Sequence, residues 1–475
     1  MSDDREYFES EDFKEILKEY EESVESGQSF YMDADDLADI ADYYHYQGHL
    51  EEAGKAIELA LQFNPEAVGP LLYKAREALS LNDFDLARTY ATRIQMVDSA
   101  EYLFLQGEIL ICEGKIEEAD LLFRKQFMEL PPDEVLDYVY DVANLYSEYN
   151  QHDKAFEWMA RSQGDNSDDF MELMARTLFG LGKYKDSERL FNELIDRNPY
   201  SKQYWNALAS AQFMSEEYDA SITSSEYAIA IDPDDAESIL SKANGLYRLE
   251  NYEVALSFFE RYSEKAASDE FGYLNQGTCL INLGRYEEAI QRLKKAEGVA
   301  PKDSQYLPEI YQELAFTYSE LKKPEIALYY IDKTADLDCD HTDMEVIRGH
   351  ILIANNRIPE AERVFKEAIN NSECSHKTIL RIMVSLYDNR YVNASYYLFK
   401  RFFEVVDEDW KDGYAYMVLC CWDLHKYEEL LYYLELAVSK NPKETRLVLG
   451  HIFPKDLPVE DYYDYMFKKI NKDVR

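Results

Sequence analysis

The residues of this sequence best suited to bind a metal are two Cys-x-His pairs, Cys339-x-His341 and Cys374-x-His376. Thiolates and imidazoles bind zinc at metal–ligand distances of about 2.0–2.3 Å. Both pairs fall in predicted turns between helices, and packed helices lie about 8–10 Å apart. The two turns would have to close up for the four ligands to meet. We therefore predict no metal site, and the question whether this cluster binds zinc stays open.

Carboxylates are the commonest groups that could do acid–base catalysis, and they are too abundant to be diagnostic. The 475 residues include 94 Asp and Glu, so pairs of carboxylates occur throughout the chain. The sequence contains no Gly-rich phosphate loop, no H-E-x-x-H and no G-x-S-x-G, the patterns that position a phosphate, a zinc ion or a nucleophilic serine. We predict a protein that is not an enzyme and that needs no cofactor.

The net charge limits the partners that the protein can bind. With 94 acidic and 50 basic residues the charge is −44, which argues against nucleic acid and membrane, because their phosphates are bound by clusters of Lys and Arg. The acidity either attracts a basic segment of a partner or keeps a solvated face soluble. The N-terminus is not a signal peptide, no run is long and apolar enough to span a membrane, and the six cysteines show no paired framework. We expect a cytoplasmic protein.

A unit of 34 residues, seen best at 270–303, supplies the elements that would position any site. Small residues at positions 8 and 20 let two antiparallel helices approach, a glycine at position 15 ends the first helix, and a proline at position 32 ends the second. The spacing of the larger apolar residues gives each helix one apolar face. These positions are occupied by Gly277 (8), Leu280 (11), Gly284 (15), Tyr286 (17), Ala289 (20), Leu293 (24), Ala296 (27) and Pro301 (32).

The pattern recurs twelve times, and five of the eleven steps between copies are 34 residues long. The copies begin near Ala34, Val68, Ala100, Leu136, Asp168, Lys202, Ala236, Glu270, Pro308, Thr342, Ser375 and Lys411. Position 20 is Ala in nine copies, Ala394 of the eleventh among them. Position 8 becomes Ile382 and Val418 in the last two, so we expect looser packing after about residue 375.

This period and this order of small, aromatic and proline residues closely resemble the tetratricopeptide repeat (TPR). The resemblance covers about nine-tenths of the chain and implies an all-α fold, an α-solenoid in which antiparallel helix pairs stack into a right-handed superhelix.

The predicted division of the chain has four parts. Residues 1–33 form a helix that caps the first repeat or, alternatively, detaches to enter the groove or a partner. Residues 34–303 hold repeats one to eight, and residues 304–444 hold repeats nine to twelve after a longer loop. Residues 445–475 form a closing helix that covers the last repeat. Capping is expected because the ends of a repeat array would otherwise expose an apolar face.

In the TPR family, positions 2, 5, 6, 9, 12 and 13 of the first helix face a concave groove, which implies a peptide-binding site in the central repeats. Asparagine offers both a donor and an acceptor, so a row of Asn can pair with an extended peptide backbone. The alternative is that these are ordinary polar surface residues. The candidates are Arg176, Phe179, Asn206, Ser210, Phe213, Asn244, Tyr247, Arg248, Asn275, Thr278 and Asn282.

The two ends of the predicted groove differ in character. The early positions are acidic, which suggests a ligand with a basic segment: Asp35, Asp39, Asp42, Glu101, Glu108, Asp137 and Asp141. The late positions are apolar, which suggests either a protein contact or a surface buried by the closing helix: Ile379, Leu380, Met383, Leu386, Leu419 and Trp422.

The function predicted from these features is that of a non-catalytic scaffold that holds a protein or peptide segment in the groove, mainly through repeats five to eight. Two alternatives stay open. One is a peptide-responsive regulator or a subunit that acts with a partner enzyme. The other is a structural subunit that forms a homodimer through its C-terminal apolar repeats.

Overall fold

The computed structural model describes residues 7–8, 10–26, 31–95, 99–162, 164–454 and 457–473, and all regular secondary structure in these ranges is helical. The chain divides into two compact units, residues 1–217 and residues 218–475, called here the first unit and the second unit. In the described residues no helix is long and apolar enough to cross a membrane.

The first unit contains α1 to α12. Their bounds are α1 Glu11–Ser26, α2 Ala34–Tyr46, α3 Leu50–Phe63, α4 Val68–Ser80, α5 Phe84–Ala91, α6 Ala100–Cys112, α7 Ile116–Phe127, α8 Val135–Glu148, α9 His152–Met159, α10 Asp168–Gly180, α11 Tyr184–Arg197 and α12 Lys202–Met214.

The second unit contains α13 to α27 and two short 3₁₀ turns, Gly450–Ile452 and Val459–Asp461. The helices are α13 Tyr218–Ile231, α14 Ala236–Arg248, α15 Tyr252–Lys265, α16 Glu270–Asn282, α17 Tyr286–Val299, α18 Leu307–Glu320, α19 Pro324–Asp332, α20 His341–Ala354, α21 Ile358–Asn371, α22 His376–Asp388, α23 Val392–Phe402, α24 Tyr414–Asp423, α25 Tyr427–Lys440, α26 Pro442–Leu449 and α27 Tyr462–Asp473.

The prediction of an all-α solenoid of helix pairs is confirmed. Helices α2 to α25 are the first and second helices of twelve repeats, and eleven of the twelve first helices begin within one residue of the expected position. The last one begins at Tyr414 instead of Lys411, because Gly413 precedes it in a left-handed conformation with φ 87°. The division into repeats one to eight and nine to twelve stays a prediction beside the division after residue 217.

The turn between the two helices of each repeat contains one residue with positive φ at position 15. At Gly284 the turn is closed by two backbone bonds, from the Gly284 N–H to the Ile281 carbonyl at 2.9 Å and from the Arg285 N–H to the Leu280 carbonyl at 2.8 Å. The left-handed conformation costs an L-residue roughly 1–2 kcal/mol. The twelve residues are Gly48, Asn82, Gly114, Asn150, Gly182, Glu216, Glu250, Gly284, Lys322, Asn356, Arg390 and His425.

Position 8 is small because position 24 of the same repeat packs directly over it. A methyl group added to Gly349 would lie 2.1 Å from the Phe365 ring, and one added to Gly277 would lie 2.6 Å from Leu293. Distances of this size are far below van der Waals contact, so the helix pair can close only over a small residue.

The assignment of Ile382 and Ala394 to positions 8 and 20 of the eleventh repeat is wrong by one residue. Ser395 is buried and its hydroxyl donates to the Met383 carbonyl at 2.9 Å, whereas Ala394 is exposed. Ser187 makes the equivalent bond in the fifth repeat, to the carbonyl of Ala175 at position 8. Met383 and Ser395 therefore hold these positions, and Met383 is buried in the core.

The two ends of the array are packed onto their neighbouring repeats. Phe13 and Tyr20 of α1 belong to one buried cluster with Leu37 and Ile40 of α2. At the other end, Tyr462 and Met466 of α27 belong to a cluster with Leu434 of α25. The proposed capping roles are compatible with these contacts and stay predictions.

The buried cysteines lie in the second unit. Cys279, Cys420 and Cys421 are fully buried and unpaired, and burial raises the pKa of each thiol to about 12. Cys374 is exposed. Because the thiolate is the reactive form, the three buried thiols are protected both sterically and chemically.

Candidate functional site

The largest described concavity of the second unit is a groove with a cavity volume of about 620 Å³. Each first helix of repeats seven to twelve contributes to it, so six successive repeats build one surface. The lining residues are Tyr247, Thr278, Ile281, Asn282, Gln312, Glu313, Phe316, Val346, Ile347, His350, Leu380, Arg381, Val384, Ser385, Asp388 and Tyr416.

The apolar part of the groove comes from helices in the middle of this run. Phe316 of α18 is 37% exposed, and Ile347 of α20 and Val384 of α22 are half-buried. Side chains three or four residues apart lie on one face of a helix, so Phe316 lies on the same face as Glu313. A ligand in the groove would therefore meet apolar surface and a carboxylate side by side.

Glu313 is the carboxylate in this groove whose ionisation is most disturbed. Burial and, to a smaller extent, the neighbouring charge of Glu309 raise its pKa from the ordinary 4.5 to about 7. No lysine, arginine or histidine in the described part of the chain forms an ion pair with it. The array thus keeps a half-buried acid in its groove without a compensating cation.

The other charged groups of the groove have partners on neighbouring repeats. Arg381 of α22 is paired with Asp343 of α20. His350 Nδ1 lies 3.0 Å from the Ser385 hydroxyl and 3.2 Å from the Asn389 amide nitrogen. Since that amide can only donate, Nδ1 acts as the acceptor, and burial lowers the pKa of the His350 ring. The ring is therefore neutral near pH 7, and Arg381 contributes no free positive charge.

Five of the predicted binding residues lie in the first unit. Arg176 is paired with Glu172 at 2.7 Å on its own helix, and the Phe179 ring lies edge-on to Tyr184 at 5.4 Å. Asn206 is buried, with 3% of its surface exposed. The other two, Ser210 and Phe213, are half-buried.

The remaining six predicted residues lie in the second unit, and Tyr247, Thr278 and Asn282 line the groove. Asn282 Nδ2 donates to the Thr278 carbonyl at 2.8 Å and lies 3.5 Å from the Tyr247 hydroxyl. Asn275 Nδ2 donates to the Phe271 carbonyl at 2.9 Å. Part of the donor capacity of these amides is thus used within their own helices.

Asn244 and Arg248 complete the predicted set but do not line the groove. Asn244 is half-buried on α14. Arg248 is exposed at the end of the same helix, and its guanidinium donates to the Tyr218 hydroxyl at 3.1 Å. The asparagine row as a peptide-binding device stays a prediction.

The Cys-x-His pairs have contacts of other kinds. Cys339 Sγ lies 3.8 Å from His341 Nδ1, and the His376 ring packs edge-on against Phe402 and Trp410 at 5.7 and 5.6 Å. Within the described ranges no three or more His, Cys, Asp or Glu side chains are grouped to hold a metal ion.

The prediction from sequence did not include Glu313, Phe316, Ile347 and Val384. A usable signal was present for Glu313, since the neighbouring first helices α16 and α20 carry only Arg348 as a cation that could have reached it. That arginine is paired with Asp332 and Glu345 instead.

Residues 201–296 match the family model described as anaphase-promoting complex, cyclosome, subunit 3. Together with twelve helix pairs at the observed spacing, this match decides the family. The chain is a tetratricopeptide repeat protein. The matched residues cover repeats six to eight, so the match concerns how TPR helix pairs are built and indicates no particular partner.

Two curated proteins are similar to parts of this TPR protein. Protein FlbA of Caulobacter vibrioides is 28% identical over 122 residues, which are 26% of this chain and 20% of that protein. Anaphase-promoting complex subunit 3 of Schizosaccharomyces pombe is 23% identical over 168 residues, which are 35% of this chain and 25% of that protein. The alignments thus span only a fifth to a quarter of these relatives.

Among solved structures, segments of the TPR protein are similar to MamA 41-end from Desulfovibrio magneticus RS-1, with 16% identity, a TM-score of 0.34, and coverage of 37% of this chain and 96% of that one. For TTC0263, a thermophilic TPR protein in Thermus thermophilus, the values are 20%, 0.32, 39% and 100%. TM-scores of this size carry no argument about function.

Proposed function

We propose that this TPR protein is a non-catalytic scaffold that holds a segment of another protein in the groove of the second unit. The observation that carries the proposal is that first helices from six successive repeats line one open cavity. Extended concave surfaces of stacked repeats are the usual binding surfaces of such arrays. The proposal moves the site from repeats five to eight to repeats seven to twelve, and it keeps a cytoplasmic location as an expectation.

The chemistry of the lining supports a protein segment as the ligand. Exposed apolar residues such as Phe316 contribute little to a monomer in water and contribute strongly to an interface. The amides of Asn282 and Gln312 line the same groove, and each can donate to and accept from a peptide backbone. Together they offer a surface for side chains and a surface for the backbone.

The test is affinity capture by the full chain from an extract of the cells that contain it. Phe316→Ser and Ile347→Ser should each reduce the amount of captured partner at least tenfold, because truncating a buried apolar anchor costs about 2 kcal/mol or more of binding. Tyr329→Ser is the matched control, since Tyr329 is 55% exposed on the second helix of repeat nine. It should leave capture unchanged.

Circular dichroism should show the same helix content for all three variants. Equal capture by wild type, Phe316→Ser and Ile347→Ser would place the binding surface elsewhere on the chain and overturn the assignment to the groove.

The apolar residues expected to form a homodimer support the other interpretation, burial within the chain. Met383 and Leu419 belong to a buried cluster, and Lys469 of α27 lies over the Trp422 ring at 5.3 Å. We propose that the closing helix covers this surface. A dimer in sedimentation that dissociates on Trp422→Ala would contradict this.

A further inference from the structure

We propose that the segment bound in the groove presents a lysine or arginine side chain to Glu313, with aliphatic neighbours packed against Phe316. The partner is thus a protein with a basic residue in an apolar stretch, held in extended or helical form. This inference rests on the proposed function and adds the chemical class of the ligand.

The first argument is that the carboxylate of Glu313 lacks a cation while comparable charges have one. Arg381, the neighbouring arginine of the groove, is already paired with Asp343. Elsewhere in the second unit, Glu297 is paired with Lys333, and Glu260 accepts from Arg292 at 2.7 Å. Burying an acid without a partner is unfavourable, so a ligand cation would relieve a cost that the free protein carries.

The second argument is the sign of the charges that face Glu313. Glu309 lies one turn earlier on α18, and its negative charge raises the pKa of Glu313 further. Asp388 lines the groove from α22. His350 of α20 is kept neutral by burial near pH 7. An anionic ligand would be repelled, and a neutral one would bury Glu313 more deeply without compensating it.

The third argument is the aromatic side chain beside the acid. Phe316 follows Glu313 by three residues on the same face of α18 and is partly exposed. The face of an aromatic ring attracts a cation, and the methylenes of a Lys or Arg pack against apolar surface. An acid and a phenyl ring at this spacing suit a long basic side chain better than a neutral polar one.

The experiment begins with a randomised library of twelve-residue peptides selected on the full chain. Peptides whose binding is lost on Phe316→Ser bind in the groove, and we expect Lys or Arg next to Leu, Ile, Val or Met in them. Fluorescence anisotropy then compares a selected peptide with its Lys→Gln or Arg→Gln form on wild type and on Glu313→Gln.

Either change alone should raise the Kd at least tenfold, and the two together should raise it no further, because they remove the same interaction. Glu287→Gln is the matched control, since Glu287 is exposed on the second helix of repeat eight. It should not change the Kd, and an Arg form of a Lys peptide should bind as well.

Three results separate the two levels of the proposal. Groove-binding peptides without Lys or Arg, or with a Kd that is insensitive to Glu313→Gln, would overturn this inference and leave the scaffold function standing. Additive effects in the cycle would also overturn it, since they would show that the peptide cation and Glu313 do not meet. Selection that yields no peptide sensitive to Phe316→Ser would overturn both.

Discussion

The two units treat a partly buried acid on a first helix in opposite ways. In the first unit, Glu108 of α6 is 6% exposed and accepts from the Arg76 guanidinium of α4 at 3.0 Å. In the second unit, Glu313 of α18 lines the groove and has no cationic partner among the described residues. The first acid is part of the packing between repeats. The second is kept available at a cost in stability.

The turns between paired helices differ in the same direction. Five of the six left-handed turn residues of the first unit are Gly or Asn, the residues that tolerate this conformation best. In the second unit only Gly284 and Asn356 are of this kind, and the others are Glu250, Lys322, Arg390 and His425.

The second unit therefore carries more local features that oppose folding. Proteins commonly tolerate such features where a site needs them, and remove them elsewhere. The contrast supports the assignment of binding to the second unit, and it can be tested by exchanging the features one at a time.

The largest effect is expected for Arg76→Met, which leaves Glu108 buried without its cation. Removing one partner of a buried ion pair costs about 3–5 kcal/mol, and because the Arg76 side chain is 54% exposed we expect a loss of about 2 kcal/mol. Thermal unfolding of the full chain measures it as a lower midpoint. The exposed pair of Lys55 and Glu51 is the control, and Lys55→Met should leave the midpoint unchanged.

A slightly smaller effect of opposite sign is expected for Glu313→Gln. The pKa of Glu313 is raised from 4.5 to about 7 in the folded protein, so its contribution to stability is lost as the pH rises through this range. At pH 8 the folded state carries the full penalty of a charged carboxylate, and Glu313→Gln should stabilise it by about 1–3 kcal/mol.

At pH 4.5 the carboxylate of Glu313 is protonated in the folded state, and the gain from Glu313→Gln should be largely gone. Unfolding midpoints of both proteins at pH 4.5 and 8 test this, with Glu287→Gln as the control. A stabilisation that is equal at both pH values would show that desolvation of the charge is not the cause.

The smallest effect is expected at the turns. Lys322 has φ 57°, so Lys322→Gly should stabilise the second unit by about 0.5–1 kcal/mol, the relief of the left-handed conformation less the entropy that glycine adds to the unfolded chain. Gly114→Ala in the first unit is the reciprocal change. An added methyl at Gly114 would meet no neighbour within 4 Å, so its loss of stability isolates the backbone conformation. Equal midpoints for all three proteins would contradict the argument.

The architecture could be predicted from sequence because each repeat states its own boundaries. A small residue, a turn residue and a second small residue recur at fixed distances, and all but one first helix begins within a residue of the expected position. The error in the eleventh repeat arose because Ala394 and Ser395 are both small and adjacent. Only the bond from Ser395 to the Met383 carbonyl shows which of them faces the first helix.

The groove was less predictable because it depends on what each charge finds in space. Family positions led to Tyr247, Thr278 and Asn282, which do line it. Glu313 differs from dozens of other acids only in lacking a partner, and that property depends on residues from other repeats.

The burial of Cys279, Cys420 and Cys421 gives the second unit internal reporters of its own opening. A thiol-specific reagent added to the native protein reaches the exposed Cys374 at once, while each buried thiol waits for the helices over it to separate. The labelling rate then measures how often that part of the chain opens. A ligand in the groove should slow labelling at these three positions, so binding could be followed by mass without attaching any probe.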